Sequence, residues 1–286
     1  MRNTQFLWAF VALWSGAVLV PVGLLLLWSF LKMEDYSFVW SLTTDAYRHI
    51  IDYNRYRVGL ETLRIAATVT LIELLIALPF CLWLAKGTQS ARLRAIVLAL
   101  LTIPFFLSLA SRTVVFRPIL GRNGLLNTLL TESGVVSEPL NWLLFSDFSV
   151  HLGLLAAFFP TMALPIFLTM TLIDDELIHA ARDLGAAPAR VFFDVIRPLA
   201  MPGIVAGIIF TFVPMLGETV VPQLLGGGQV NMLGGSITSL MTVLNYAVAA
   251  ALSVMVLVIL ATLLLLLRLS SPNVLSLAAI FEGLKR

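Results

Sequence analysis

The chain is 286 residues long, 59% hydrophobic and only 12% charged, with a net charge of +2 and a mean hydropathy of +0.98. A soluble domain carries about 25% charged residues, so ordinary cytosolic enzymes, disordered proteins and secreted disulfide scaffolds are excluded. The near-neutral charge argues against a nucleic-acid partner or a polybasic surface protein, and the lone cysteine, Cys81, cannot form an internal disulfide. The composition is that of an all-α, multi-pass membrane protein. Its histidines, His49, His151 and His179, are far apart, and no Cys/His group has zinc spacing.

Crossing the hydrocarbon core takes about 20 apolar residues. Six segments qualify in chain order: 6–31, 64–85, 93–109, 151–173, 203–225 and 245–267. The first is longer than a signal-peptide core of roughly 7–15 residues and is followed by no small-x-small cleavage pattern, so it reads as a retained anchor. The third is the shortest. The fifth is interrupted by Pro214 and the pair Gly217-Glu218. The chain divides into an N-terminal helix with an outer segment, 1–63, and a five-helix core, 64–286, carrying a patterned loop at 174–202.

Lys and Arg in short loops mark the cytoplasmic side. Lys86, Arg92 and Arg94 occupy one such loop, with no acid among them. Arg182, Arg190 and Arg197 lie in another, Arg268, Lys285 and Arg286 in the tail, and Arg2 at the start. The opposite loops, 32–63, 110–150 and 226–235, are mixed in charge or uncharged. Both termini therefore read as cytoplasmic, in agreement with the even number of spans.

The loop at 174–202 is the most informative stretch. Asp174, Asp175 and Glu176 put negative charge at a helix start, where the dipole favours it. Leu177, Ala180, Ala181 and Leu184 follow at helical spacing and form one apolar stripe. Gly185 suits a left-handed stop and Pro188 the first turn of a second helix. Val191, Phe192, Val195 and Ile196 give that helix its own apolar face, and Pro198 and Pro202 mark the return to the membrane. The pattern predicts two short helices at an angle. By itself it fits either an amphipathic hairpin packed beneath its own bundle or a surface displayed to a partner.

Ala180, Ala181, Gly185, Val195 and Pro198 stand in the register of the EAA loop of ABC importer permeases, which reads Glu-Ala-Ala, three residues, Gly, nine residues, Ile-x-Leu-Pro. The stretch resembles that loop, with His179 at the Glu position and Arg197 before the proline. Together with Gly217-Glu218 and Pro222-Gln-Leu-Leu-Gly-Gly227, the loop is similar to the spermidine/putrescine branch of the family, and the likeness runs from the second span to the sixth.

The resemblance implies a type I ABC importer permease fold in a bacterial inner membrane. It also implies that Glu176, His179, Ala180, Ala181, Asp183, Leu184, Gly185 and Ala186 form a coupling loop that docks on a cytoplasmic ATPase dimer. A second permease subunit, of a different sequence in this branch, and an external solute-binding protein complete the expected partners. ATP and Mg2+ belong to the ATPase; no phosphate-binding loop is present in this chain, and no cofactor is expected on it.

Ionisable groups inside spans usually face protein or water. Glu218, at the break in the fifth span, is a candidate for a cation pathway; an ion pair with an arginine or an interfacial position are the alternatives. Glu73, inside the second span, fits a buried pair or hydrogen bond, or the pathway. Arg112 and Arg117 follow the third span and are placed to pair with Glu218 or to meet the binding protein. Gly203 and Gly207 form a small-xxx-small packing pattern. An ion-coupled secondary transporter is the competing reading, but it would leave the 174–202 pattern without a purpose. An intramembrane enzyme would need a catalytic pair, and His151 has no such companion in the sequence.

Overall fold

The computed structural model describes residues 2–270; Lys285 and Arg286, used above for sidedness, lie outside them. Helix α1 (Arg2–Trp28) covers the first expected span. Its apolar window, Phe10–Trp28, has none of its residues buried within the chain, as suits a helix apolar on all sides and facing lipid or another subunit. A hairpin follows, β1 (Leu31–Glu34) paired antiparallel with β2 (Ser37–Leu42). Asp35 and Tyr36 both have positive φ, the conformation a two-residue hairpin turn requires. This hairpin is new relative to the sequence reading. Helix α2 (Asp45–Asp52) then buries Ala46 and Ile50 against the last helix.

Helix α3 (Tyr56–Leu82) ends in a π-helical turn, Trp83–Gly87. The second span is therefore Tyr56–Gly87, longer than the expected 64–85. The third segment differs more. Helix α4 (Ala91–Thr102) has 12 residues, about 18 Å at 1.5 Å per residue, which cannot cross a core of about 30 Å. A 3-10 turn containing Pro104 follows, and Ser108 caps α5 (Leu109–Val114). With α6 (Phe116–Leu120) and α7 (Leu125–Glu132), the chain bends by 108° between Ala91–Phe106 and Leu109–Glu132. The expected span 93–109 is thus one arm of a broken pair.

Helix α8 (Asp147–Thr171) starts at a reciprocal cap between Ser146 and Ser149. Next come α9 (Asp175–Asp183), α10 (Pro188–Val191), a π-helical turn (Phe192–Ile196) and α11 (Arg197–Leu216). The expected separation of the second loop helix from the fifth span is not found: Pro188–Leu216 runs on as one 29-residue span. Pro198 falls in the first turn of α11, and the π turn before it accommodates the missing N–H. The break at Gly217–Thr219 is where the sequence placed it. Beyond it lie α12 (Val220–Leu225), α13 (Leu233–Thr242) and α14 (Tyr246–Ser270).

Helices α3, α8 and α11 form the centre. Ile65, Val69, Leu154, Phe158, Phe212 and Met215 pack at one level, and Ala77, Cys81, Met162, Ile166 and Ile204 at another. Gly207 lets α11 close on α8: a Cβ there would stand 2.9 Å from the Met162 carbonyl oxygen. Helices α3 and α8 are parallel, because Arg64 pairs with Asp147 at one end (2.8 Å) and Lys86 with Asp175 at the other (2.6 Å). The 174–202 loop and the Lys86 loop therefore share one side, in keeping with the alternation of spans.

Candidate functional site

The patterned loop is built as its sequence predicts at its key positions. Asp174 caps α9, its Oδ1 accepting the Glu176 N–H at 3.0 Å. The far end closes as a Schellman motif: the Gly185 N–H donates to the Arg182 carbonyl (2.8 Å) and the Ala186 N–H to the Ala181 carbonyl (3.0 Å). Gly185 has φ +82°, and a Cβ there would meet nothing within 4 Å. Its glycine answers a backbone requirement, not a lack of space.

Helix α9 is held from one flank only. Ile178 is buried with Ile173, Val191 and Ile196, and Ala181 and Ala186 lean on the same cluster. Lys86 Nζ donates to the Ile173 carbonyl and to Asp175, tying the end of α3 to the start of α9. That hydrogen bond, and then the Lys86 charge, hold the Asp175 carboxyl below its ordinary range. On the other flank Leu177 is 50% and Leu184 90% exposed, with Ala180 also exposed. The stripe is therefore not packed beneath its own bundle. Glu176 and Asp183 lie exposed at the two ends of the helix.

The membrane candidates are placed differently from one another. Glu218 is 8% exposed, and its Oε1 accepts the N–H groups of Val220 (2.6 Å) and Val221 (3.2 Å). The carboxylate caps α12, a role that a helix start just after Glu218 makes readable in retrospect. The break is packed tightly: a Cβ on Gly234, at the start of α13, would stand 2.8 Å from the Glu218 carbonyl oxygen. Leu233 N–H donates to Thr62 Oγ1 (2.8 Å), fixing α13 to α3. The pairing of Arg112 or Arg117 with Glu218 is not found among the described residues. Arg112 instead donates to the Ala157 carbonyl (3.1 Å) and Arg117 to the Leu224 carbonyl (2.8 Å). Glu73 is fully buried, and neither carboxylate oxygen has a partner among the described residues; the expected pair or hydrogen bond is absent. His151 bridges α3 and α8, between Thr68 Oγ1 (2.9 Å) and the Asp147 carbonyl (2.8 Å).

This geometry combines several apolar spans, a broken helix carrying a carboxylate, and a rigid loop with a bare apolar flank. Residues 69–276 match the family described as binding-protein-dependent transport system inner membrane component. The chain belongs to that family. It is 34% identical over 223 residues to the spermidine/putrescine transport system permease protein PotB of Haemophilus influenzae, covering 78% of this chain and 77% of that one. Against PotB of Escherichia coli K12 the identity is 32% over 251 residues, covering 87% and 90%. A putative 2-aminoethylphosphonate transport permease, PhnU of Salmonella choleraesuis, is 33% identical over 57% of each chain. Among solved structures, a bacterial alginate ABC transporter bound to its periplasmic protein superposes with a TM-score of 0.73 at 14% identity, covering 96% of both chains. That likeness speaks to the fold. The chain is accordingly a multi-pass inner-membrane permease component of an ABC importer, a transport subunit and not an enzyme, working with an ATPase and a solute-binding protein.

Proposed function

We propose that this permease carries polyamines or closely related cationic amines, paired with a second and different permease subunit on a cytoplasmic ATPase dimer that binds the ATP and Mg2+. The exposed Leu177–Leu184 flank of α9 supports the docking on an ATPase most directly. A helix rooted by Ile178 and Lys86 and bare along one apolar face has the form of a knob for a partner's groove. Glu176, His179, Ala180, Ala181, Asp183, Leu184, Gly185 and Ala186 are its coupling residues, and both termini share its cytoplasmic side. An external binding protein delivers the amine. Polyamine specificity rests on the PotB relatives and on carboxylates in the membrane. Both capping bonds of Glu218 fall on Oε1, and Oε2 makes no hydrogen bond among the described residues. Glu73 and Arg112 are its partners in lining the path.

The test is to reconstitute the chain in nanodiscs with a candidate ATPase, second permease and binding protein. ATP hydrolysis should rise when the binding protein carries spermidine or putrescine, and Leu184→Asp should abolish the rise. Stimulation by a different solute would overturn the substrate assignment. An intact Leu184→Asp response would overturn the docking face.

A further inference from the structure

The flank of α9 that carries Ile178 also borders an open space. Between this flank, the π-helical end of α3, the start of α4 and α10 lies a cavity of about 830 Å³. Lys86, Arg94, His179 and Arg182 line it, and Asp175 is the one carboxylate among its described lining residues. Lys86 already neutralises Asp175 at 2.6 Å, so Arg94 and Arg182 leave the cavity net positive. Arg94 is fixed by bonds from Nη2 to the Ala85 and Thr88 carbonyls (3.2 and 3.0 Å). Its Nε–H is buried and finds no acceptor among the described residues. The rest of the wall is apolar: Leu82, Trp83 and Phe192 face the same space. Trp83 is about half exposed, as an aromatic at a membrane surface is.

A cationic recess with an apolar wall, at the membrane boundary on the Lys/Arg-rich side, matches an amphiphile with a negative head. We propose that this cavity holds the phosphate headgroup of an anionic phospholipid of the cytoplasmic leaflet. Arg94 and Arg182 bind the phosphate, and Leu82, Trp83 and Phe192 seat the glycerol and first acyl carbons. An inorganic phosphate ion would leave that apolar wall unused. His179 belongs to the same logic. The importer motif has a glutamate there, which would add a second carboxylate to the recess, whereas an imidazole adds none. The lipid would sit behind α9, on the opposite side from Leu177 and Leu184, and brace the helix that the ATPase pushes.

The test is native mass spectrometry of the full-length chain in a non-ionic detergent, titrated with phosphatidylglycerol or phosphatidylcholine. One saturable phosphatidylglycerol per chain is expected, with phosphatidylcholine at least about tenfold weaker. Arg182→Gln and Arg94→Gln should each weaken phosphatidylglycerol about fivefold, the effect of one basic residue at an anionic surface. His179→Glu should do the same, Arg182→Lys should retain binding, and Arg190→Gln, outside the cavity, should change nothing. Among the described residues the Arg182 side chain makes no backbone anchor of the kind Arg94 makes, so its variant separates lost binding from lost folding. Equal binding of the two lipids, or full binding by Arg182→Gln, would overturn the proposal. Displacement of the lipid by millimolar inorganic phosphate would overturn the lipid assignment in favour of a free anion. Exclusion of the lipid by the bound ATPase would show that the recess belongs to the protein interface instead.

Discussion

Replacing Gly185 by alanine isolates the contribution of the loop's backbone. The residue sits at φ +82° with open space around the missing Cβ, so no clash contributes. The cost is that of a side chain in the left-handed region, about 1–2 kcal/mol. It falls on the Schellman closure that fixes Leu184 and Ala186 relative to α9. If that closure is what the ATPase grips, the competent population falls about 5- to 30-fold. The assay is the ATPase concentration needed for half-maximal hydrolysis stimulated by the binding protein, in nanodiscs. Thermal unfolding of the membrane bundle should stay within about 0.5 kcal/mol of the parent, because α3, α8 and α11 do not depend on this turn. Gly185→Asn should recover part of the loss, since asparagine tolerates positive φ. Equal and full coupling in both variants would refute the claim that a left-handed stop positions the docking face. Equal and complete loss would shift the explanation to the side chain itself.

The same substitution at Gly203 should act by the opposite route. A Cβ there would run into the Thr169 hydroxyl and stand 2.5 Å from the Pro165 carbonyl oxygen, so Gly203→Ala should cost about 1–3 kcal/mol of bundle stability by overpacking, read as a lower unfolding midpoint in detergent. Because the folded Asp175 carboxyl titrates below its ordinary value of 3.8, its contribution is present above that value and is lost as pH falls through the lowered one. The gap in thermal midpoint between parent and Asp175→Asn should therefore be flat from about pH 8 to 5 and close below about pH 4. Glu73 is buried without a partner among the described residues, and an unsatisfied buried polar group costs about 1–3 kcal/mol. Glu73→Leu should raise the unfolding midpoint, and a simultaneous loss of transport would mark the carboxyl as part of the pathway; a lower midpoint would mean that it has a partner in the assembled transporter.

The loop was legible because its signals are local. Asp174, Gly185 and Pro188 each act within a turn of their own position, through a cap, a backbone angle and a fixed φ. The same locality misled at Pro198 and Pro202, which read as the boundary between the loop and the membrane but lie within a continuous helix, Pro198 in its first turn just after a π turn. The third span is one arm of a broken pair and not a straight helix, since Pro104 and the Ser108 cap bend the chain before the apolar count is complete. Arg112 and Arg117 looked like partners for Glu218 because charges suggest charges. Their actual acceptors are backbone carbonyls 45 and 107 residues away, and no sequence pattern marks a carbonyl as free. The two-residue turn at Asp35-Tyr36 lacks the glycine that announces most hairpins, so the strands around it passed as an irregular loop.

The unbroken run from Pro188 to Leu216 also has a mechanical meaning. Twenty-nine residues of helix make a rod about 43 Å long, so rotating it by about 5° sweeps its far end through about 4 Å. One end of that rod adjoins the surface proposed above to meet the ATPase. The other stops at Gly217, against the Glu218 carboxylate and the tightly seated start of α13. A lever of this length needs no relay of side chains to carry a cytoplasmic push to the outer half of the membrane. The π turn at Phe192–Ile196, a compliant joint, lies at the driven end, where slack would be taken up before the load is reached.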